Sequence, residues 1–74
     1  MPTQIIMDHT GDSRHEFTAE DKTSMRAAEE RFARMTGKGF AAVALGPNGA
    51  KGNLIRAFDP AVETTLFVPP LQGG

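Results

Sequence analysis

Thr18-Ala19-Glu20-Asp21-Lys22-Thr23-Ser24-Met25-Arg26-Ala27-Ala28-Glu29-Glu30-Arg31-Phe32-Ala33-Arg34-Met35-Thr36 is the longest run in the chain with one consistent period, and the other elements take their places around it. Met25, Ala28, Phe32 and Met35 recur at spacings of three and four, which sets them on one stripe of a helix. That stripe reads as core, because a sheet beside it needs a cover. Arg26, Glu29, Glu30 and Arg34 lie largely off the stripe, and Glu30 precedes Arg34 by the spacing that favours an ion pair. Thr18 reads as the N-cap, with Asp21 three residues on in the manner of a capping box. Glu20 and Asp21 add negative charge where the helix dipole is positive. Gly37 and Gly39 follow as stop signals, so the expected helix spans 19–36.

On the N-terminal side, Gln4-Ile5-Ile6-Met7-Asp8 reads as a strand and Thr10-Gly11-Asp12-Ser13 as a turn. Arg14-His15-Glu16-Phe17 is then a second, short and polar strand, and the pair predicts a hairpin. On the C-terminal side, Phe40-Ala41-Ala42-Val43-Ala44-Leu45 reads as a buried strand, and Gly46-Pro47-Asn48-Gly49 as a loop. Leu54-Ile55-Arg56-Ala57-Phe58 is a further strand, broken by Asp59-Pro60, and Thr64-Thr65-Leu66-Phe67-Val68 is a last strand rich in β-formers. Pro69-Pro70 cannot donate to a ladder, so pairing ends there and Leu71-Gln72-Gly73-Gly74 projects. The order ββαββ(β) predicts an α+β domain over 1–68, a mixed sheet of four to five strands with one helix across it, followed by a flexible tail over 69–74.

The bulk properties narrow the function. A chain of 74 residues is one domain, and a domain of that size buries only about 60% of its unfolded surface. It has little room for a deep pocket beside a core. A net charge of −1 offers no basic excess for a phosphate backbone, which speaks against a nucleic-acid partner. Cysteine is absent, so disulfides, thiolate catalysis and Cys-based zinc sites are excluded. No apolar stretch approaches the roughly 18 residues of a membrane span, and no signal-peptide pattern opens the sequence. The expected location is the cytoplasm, and the expected state a monomer.

No Ser/His/Asp order and no paired carboxylates point to an enzyme. Asp8, His9, Asp12 and His15 can be drawn as a metal cluster, but they straddle a predicted turn and read better as solvated polar residues. Pro47-Asn48-Gly49-Ala50-Lys51-Gly52 lacks the full phosphate-loop pattern and reads as a loop. Lys22, Lys38 and Lys51 read as ordinary surface lysines.

In element order the whole chain resembles ubiquitin and the bacterial sulfur carriers of thiamin and molybdopterin synthesis, the β-grasp family. The N-terminal hairpin with Thr10-Gly11 at its turn, the helix directly after it, and Thr65-Leu66-Phe67-Val68 with a short tail to Gly73-Gly74 resemble ubiquitin. The tail is more similar to the molybdopterin-synthase small subunit, which ends in an aromatic residue, Pro-Pro, two variable residues and Gly-Gly. Phe67, Pro69-Pro70 and Gly73-Gly74 match that pattern, with Val68 inserted. Residues 50–62 carry no family signature, and Val62-Glu63-Thr64-Thr65 stands where the molybdopterin carriers usually show an Asp-Gly-Asp-type turn.

The resemblance implies a carrier with no catalytic residues and no bound cofactor. An adenylating enzyme of the ubiquitin-activating kind would spend ATP on the Gly74 carboxylate, and the acyl group would pass to a sulfur donor or to a lysine of a target protein. A JAB-type metallopeptidase would be a further partner if the product is a conjugate. Since the sequence ends at Gly74, no protease would be needed to expose it. Two residues without Cβ suit a terminus threaded through a narrow channel. Pro69-Pro70 favours a stiff, extended spacer, and Leu71 gives one apolar anchor, so Phe67, Pro69, Pro70, Leu71 and Gln72 are the expected partner-binding positions. The competing expectation is an interaction module on the same fold, binding through an apolar patch on the open sheet face and never activated.

Overall fold

Asp8 closes the N-terminal hairpin. Its carboxylate accepts hydrogen bonds from the Thr10 backbone N–H at 2.8 Å and from the Thr10 hydroxyl. Gly11, directly opposite Asp8 in the ladder, takes a φ of +126°. The loop is therefore only His9-Thr10, and Gly11-Asp12-Ser13 belongs to the second strand, not to the turn expected from its composition. In this computed structural model, which describes residues 2–46 and 52–70, the hairpin joins β1 (Thr3–Asp8) to β2 (Gly11–Glu16).

The helix, α1 (Lys22–Gly37), starts later than expected. Asp21 is its N-cap, accepting from the N–H groups of Thr23 at 3.0 Å and Ser24 at 3.3 Å. A carboxylate there satisfies two orphan donors and carries charge against the dipole. Thr18 instead closes a preceding turn, its carbonyl accepting from the Asp21 N–H at 3.1 Å and its own N–H donating to Ser24 Oγ at 3.1 Å. Glu30 and Arg34 form no ion pair; no carboxylate pairs with either arginine of this turn among the described residues. The far end is a Schellman motif. The N–H of Phe40 donates to the Met35 carbonyl at 3.1 Å and that of Gly39 to the Thr36 carbonyl at 3.0 Å, with Gly39 at a φ of +94°. Gly37 is still helical, so Gly39 is the residue that stops the helix.

Three more strands follow: β3 (Ala41–Leu45), β4 (Asn53–Ile55) and β5 (Thr64–Val68). β4 is shorter than the expected 54–58, because the chain bends at Arg56-Ala57 and turns Phe58 inward. Phe58 packs its ring 5.6 Å from Phe17 and 6.1 Å from Phe32, and burying an aromatic ring outweighs lengthening an exposed edge strand. Asp59 closes the next turn, its carboxylate accepting from the Ala61 N–H at 2.9 Å.

The five strands form one sheet in the order β2-β1-β5-β3-β4. β1 and β5 run parallel; the other pairs are antiparallel. The result is an α+β domain, one helix against a mixed five-stranded sheet. Phe32 and Met35 from the helix meet Ala42 and Phe67 from the sheet, with Ile6, Phe40, Ile55 and Phe58 around them. Phe32 and Phe67 meet edge to face at 5.7 Å. No helix among the described residues is long and apolar enough to cross a membrane.

Candidate functional site: tail and open sheet face

β5 is the middle strand of the sheet, and the chain leaves it straight into Pro69-Pro70. Phe67 lies in the core with none of its surface exposed. It fixes the base of the tail from inside and is not itself a surface for a partner, unlike the role expected for it. Val68 pairs with Ala41, and extending that register by two residues sets Pro70 beside Gly39. A Cβ built on Gly39 would lie 3.6 Å from both Cβ and Cγ of Pro70. The helix stop and the root of the tail therefore meet at one glycine. Pro69 and Pro70 are exposed. Leu71, Gln72, Gly73 and Gly74 lie outside the described residues, as does the loop 47–51 with Lys51.

The sheet face away from the helix carries a second feature. Arg14, Ile5, Leu66, Val43 and Leu54 stand in direct register across all five strands. Four of the five are apolar. Leu54 is 63% exposed, and Met7, one step along β1 on the same face, is 44% exposed. At the β4 edge, a Cβ on Gly52 would overlap Val43 Cγ1 and stand 2.9 Å from Leu45 Cδ2, so these side chains fold down over a position that only glycine leaves open. The signal for this row was in the sequence: β1, β3 and β5 are apolar at both parities, which a sheet with one solvated face does not require.

The metal reading of the hairpin has no geometric basis. Asp8 is engaged by Thr10, and Asp12 and His15 lie on opposite faces, since Asp12 pairs with Met7 and His15 with Gln4. Among the described residues no three His, Asp or Glu side chains are placed to share an ion. A groove of about 490 Å³ runs between the start of α1 and Phe58, lined by Lys22, Met25, Arg26 and Glu29, with Pro60 at its margin. It gathers no nucleophile beside a base. Lys22 and Lys38 are both exposed, one at each end of the helix. No protein-family model, no curated protein and no solved structure matches the chain.

Proposed function

We propose that this protein is a ubiquitin-like carrier of the β-grasp type, activated at the Gly74 carboxylate by a partner enzyme. The observation that carries the reading is the exit of the chain from the central strand. β5, parallel to β1 and packed on the helix through Phe67, runs into an exposed Pro69-Pro70 and from there, in sequence, to Gly73-Gly74. A rigid base with a stiff, unpaired spacer holds a terminus away from the domain and lowers the ordering cost of docking. The carboxylate would displace pyrophosphate from ATP to form an acyl adenylate. A sulfur donor or a lysine amine would then displace AMP, giving a thiocarboxylate or an amide. The central parallel pair, with the helix across one face, supports the β-grasp assignment.

The test is intact mass spectrometry of the protein expressed with an untouched C-terminus, beside a variant lacking Gly73-Gly74. An oxygen-to-sulfur mass change at the terminus marks a sulfur carrier, and higher-mass species lost in the variant mark a modifier. Because no Lys or Arg follows Arg56, trypsin leaves the remnant Ala57 to Gly74 on a target lysine, and the search must use that remnant. Unmodified chain alone in both samples defeats the carrier reading.

The exposed Leu54 and Met7 favour a second reading, a module that binds a partner through the open sheet face without activation. Deleting Gly73-Gly74 separates the two, since a module keeps its partner and a carrier loses its product. Leu54→Ser should cut partner capture in the module reading and leave the melting temperature nearly unchanged, because the side chain is mostly in water.

A further inference from the structure

Gln4 is fully buried between the sheet and the helix. Its amide nitrogen donates to the Ala28 carbonyl at 3.0 Å, and its Oε1 accepts from Arg31 Nη1 at 2.8 Å. A half-buried guanidinium is thus held in place by a neutral amide and not by a carboxylate. Arg34 lies one turn further along the same helix flank. His15 is directly opposite Gln4 in the β1–β2 ladder, on the same face of the sheet, so Arg31 and His15 flank one buried residue. Among the described residues neither guanidinium has a carboxylate partner, and none stands against the His15 ring, in a chain that carries nine acidic residues against eight Lys and Arg.

We propose that Arg31, held by Gln4, with His15 across the ladder and Arg34 one turn further along the helix, forms a binding site for a phosphate-type oxyanion, free or as a phosphomonoester. Among the described residues no carboxylate offsets the two guanidiniums. Burial first, and then the neighbouring Arg34, lower the proton affinity of Arg31; burial first, and then Arg31 and Arg34, lower that of His15. Among the described residues no further charge acts on His15: β1 presents the neutral Gln4, and Arg14 and Glu16 on its own strand point to the opposite face. An oxyanion satisfies this set where a single carboxylate would not. Arg31 gives up one of five donors to Gln4 and keeps the rest of its fork, Arg34 supplies a second fork, and a dianion favours the protonated imidazole. Gln4 fixes the site in advance, because its other end is tied to the helix backbone. The site lies on the helix flank of the hairpin and stands whether or not Gly74 is activated.

The test follows the His15 imidazole by NMR in the full chain, with His9 in the exposed hairpin loop as an internal control. Inorganic phosphate and O-phosphoserine are titrated against chloride at matched ionic strength. The expected result is a saturable shift of the His15 signals and a rise of its titration midpoint with phosphate, absent from His9. Equal responses to both ligands mean that the phosphoryl group alone is read, and a tighter response to O-phosphoserine means that a monoester is the better source; both support the site. Arg31→Gln should abolish the response. Arg34→Gln, which removes no side-chain hydrogen bond among the described residues, should weaken it about tenfold. A His15 response no larger with phosphate than with chloride, or one unchanged in Arg34→Gln, overturns the proposal.

Discussion

Two neighbouring rows of side chains lie beneath the same helix and do different work. One runs Ser13, Ile6, Phe67, Ala42, Ile55 across the five strands and is roofed by Phe32 and Met35. The next runs His15, Gln4, Thr65, Ala44, Asn53 and is roofed near β1 by Ala28 and Arg31. The first row is interlocking rings and aliphatic groups, where stability scales with apolar area removed from water. The second puts buried Gln4 and Thr65 side by side, where stability depends on each polar atom finding a partner. Every buried side-chain nitrogen and oxygen among the described residues has one. The apolar row holds the helix on the sheet, and the polar row sets where Arg31 points.

The apolar row depends most on Phe67. Phe67→Ala should cost about 3–5 kcal/mol, a large share of the roughly 5–15 kcal/mol available to a domain, and chemical denaturation should show a larger drop in midpoint than for Gln4→Ala or Gly39→Ala. Gln4→Ala should cost less, about 1–3 kcal/mol, because it removes two hydrogen bonds and leaves Arg31 without its only partner among the described residues. The two also differ in kind: Gln4→Ala should release the Arg31 guanidinium, visible as a change in its side-chain NMR signal in protein that is still folded. Gly39→Ala should cost about 1–2 kcal/mol, since the residue must keep a φ of +94° that a Cβ disfavours. The same change crowds nothing, as the new Cβ meets Pro70 at ordinary contact distance. A loss well above that range would mean that the root of the tail is packed more tightly than the distances indicate.

How far the sequence could carry this is visible residue by residue. The helix stripe of Ala28, Phe32 and Met35 and the strand Thr64–Val68 were legible because periodicity and β-branching act locally. The helix starts three residues later than expected because Thr18 and Asp21 are both good caps: Asp21 takes the Thr23 and Ser24 N–H groups, while Ser24 Oγ holds the Thr18 backbone in the preceding turn. Phe58 looks like a strand residue locally, because its burial depends on Phe17 and Phe32, far away in sequence. Gln4 is locally one residue of a strand; nothing nearby tells a buried glutamine from a solvated one, and its partners Ala28 and Arg31 lie 24 and 27 residues on. Of the tail, Pro69 and Pro70 are exposed, Phe67 belongs to the core, and the four last residues lie outside the described part of the chain.

One titration reads the polar row alone. Burial, and after it Arg31 and Arg34, hold the His15 proton affinity below that of an unfolded chain, whose histidine titrates near 6.5. As pH falls below that value the unfolded state takes up a proton before the folded state does. Stability is therefore complete above about pH 6.5 and declines as pH falls toward the folded-state midpoint, then levels off. Urea midpoints measured at pH 7.5 and 5.5 should show the decline in wild type and a shallower one in His15→Gln. Arg34→Gln should also make it shallower without abolishing it, since burial, the larger cause, remains. Phe67 has no proton to exchange, so Phe67→Leu should lower the urea midpoint at both pH values by the same amount. If it changed the pH slope instead, the two rows would be coupled through the helix and could not be treated as separate devices.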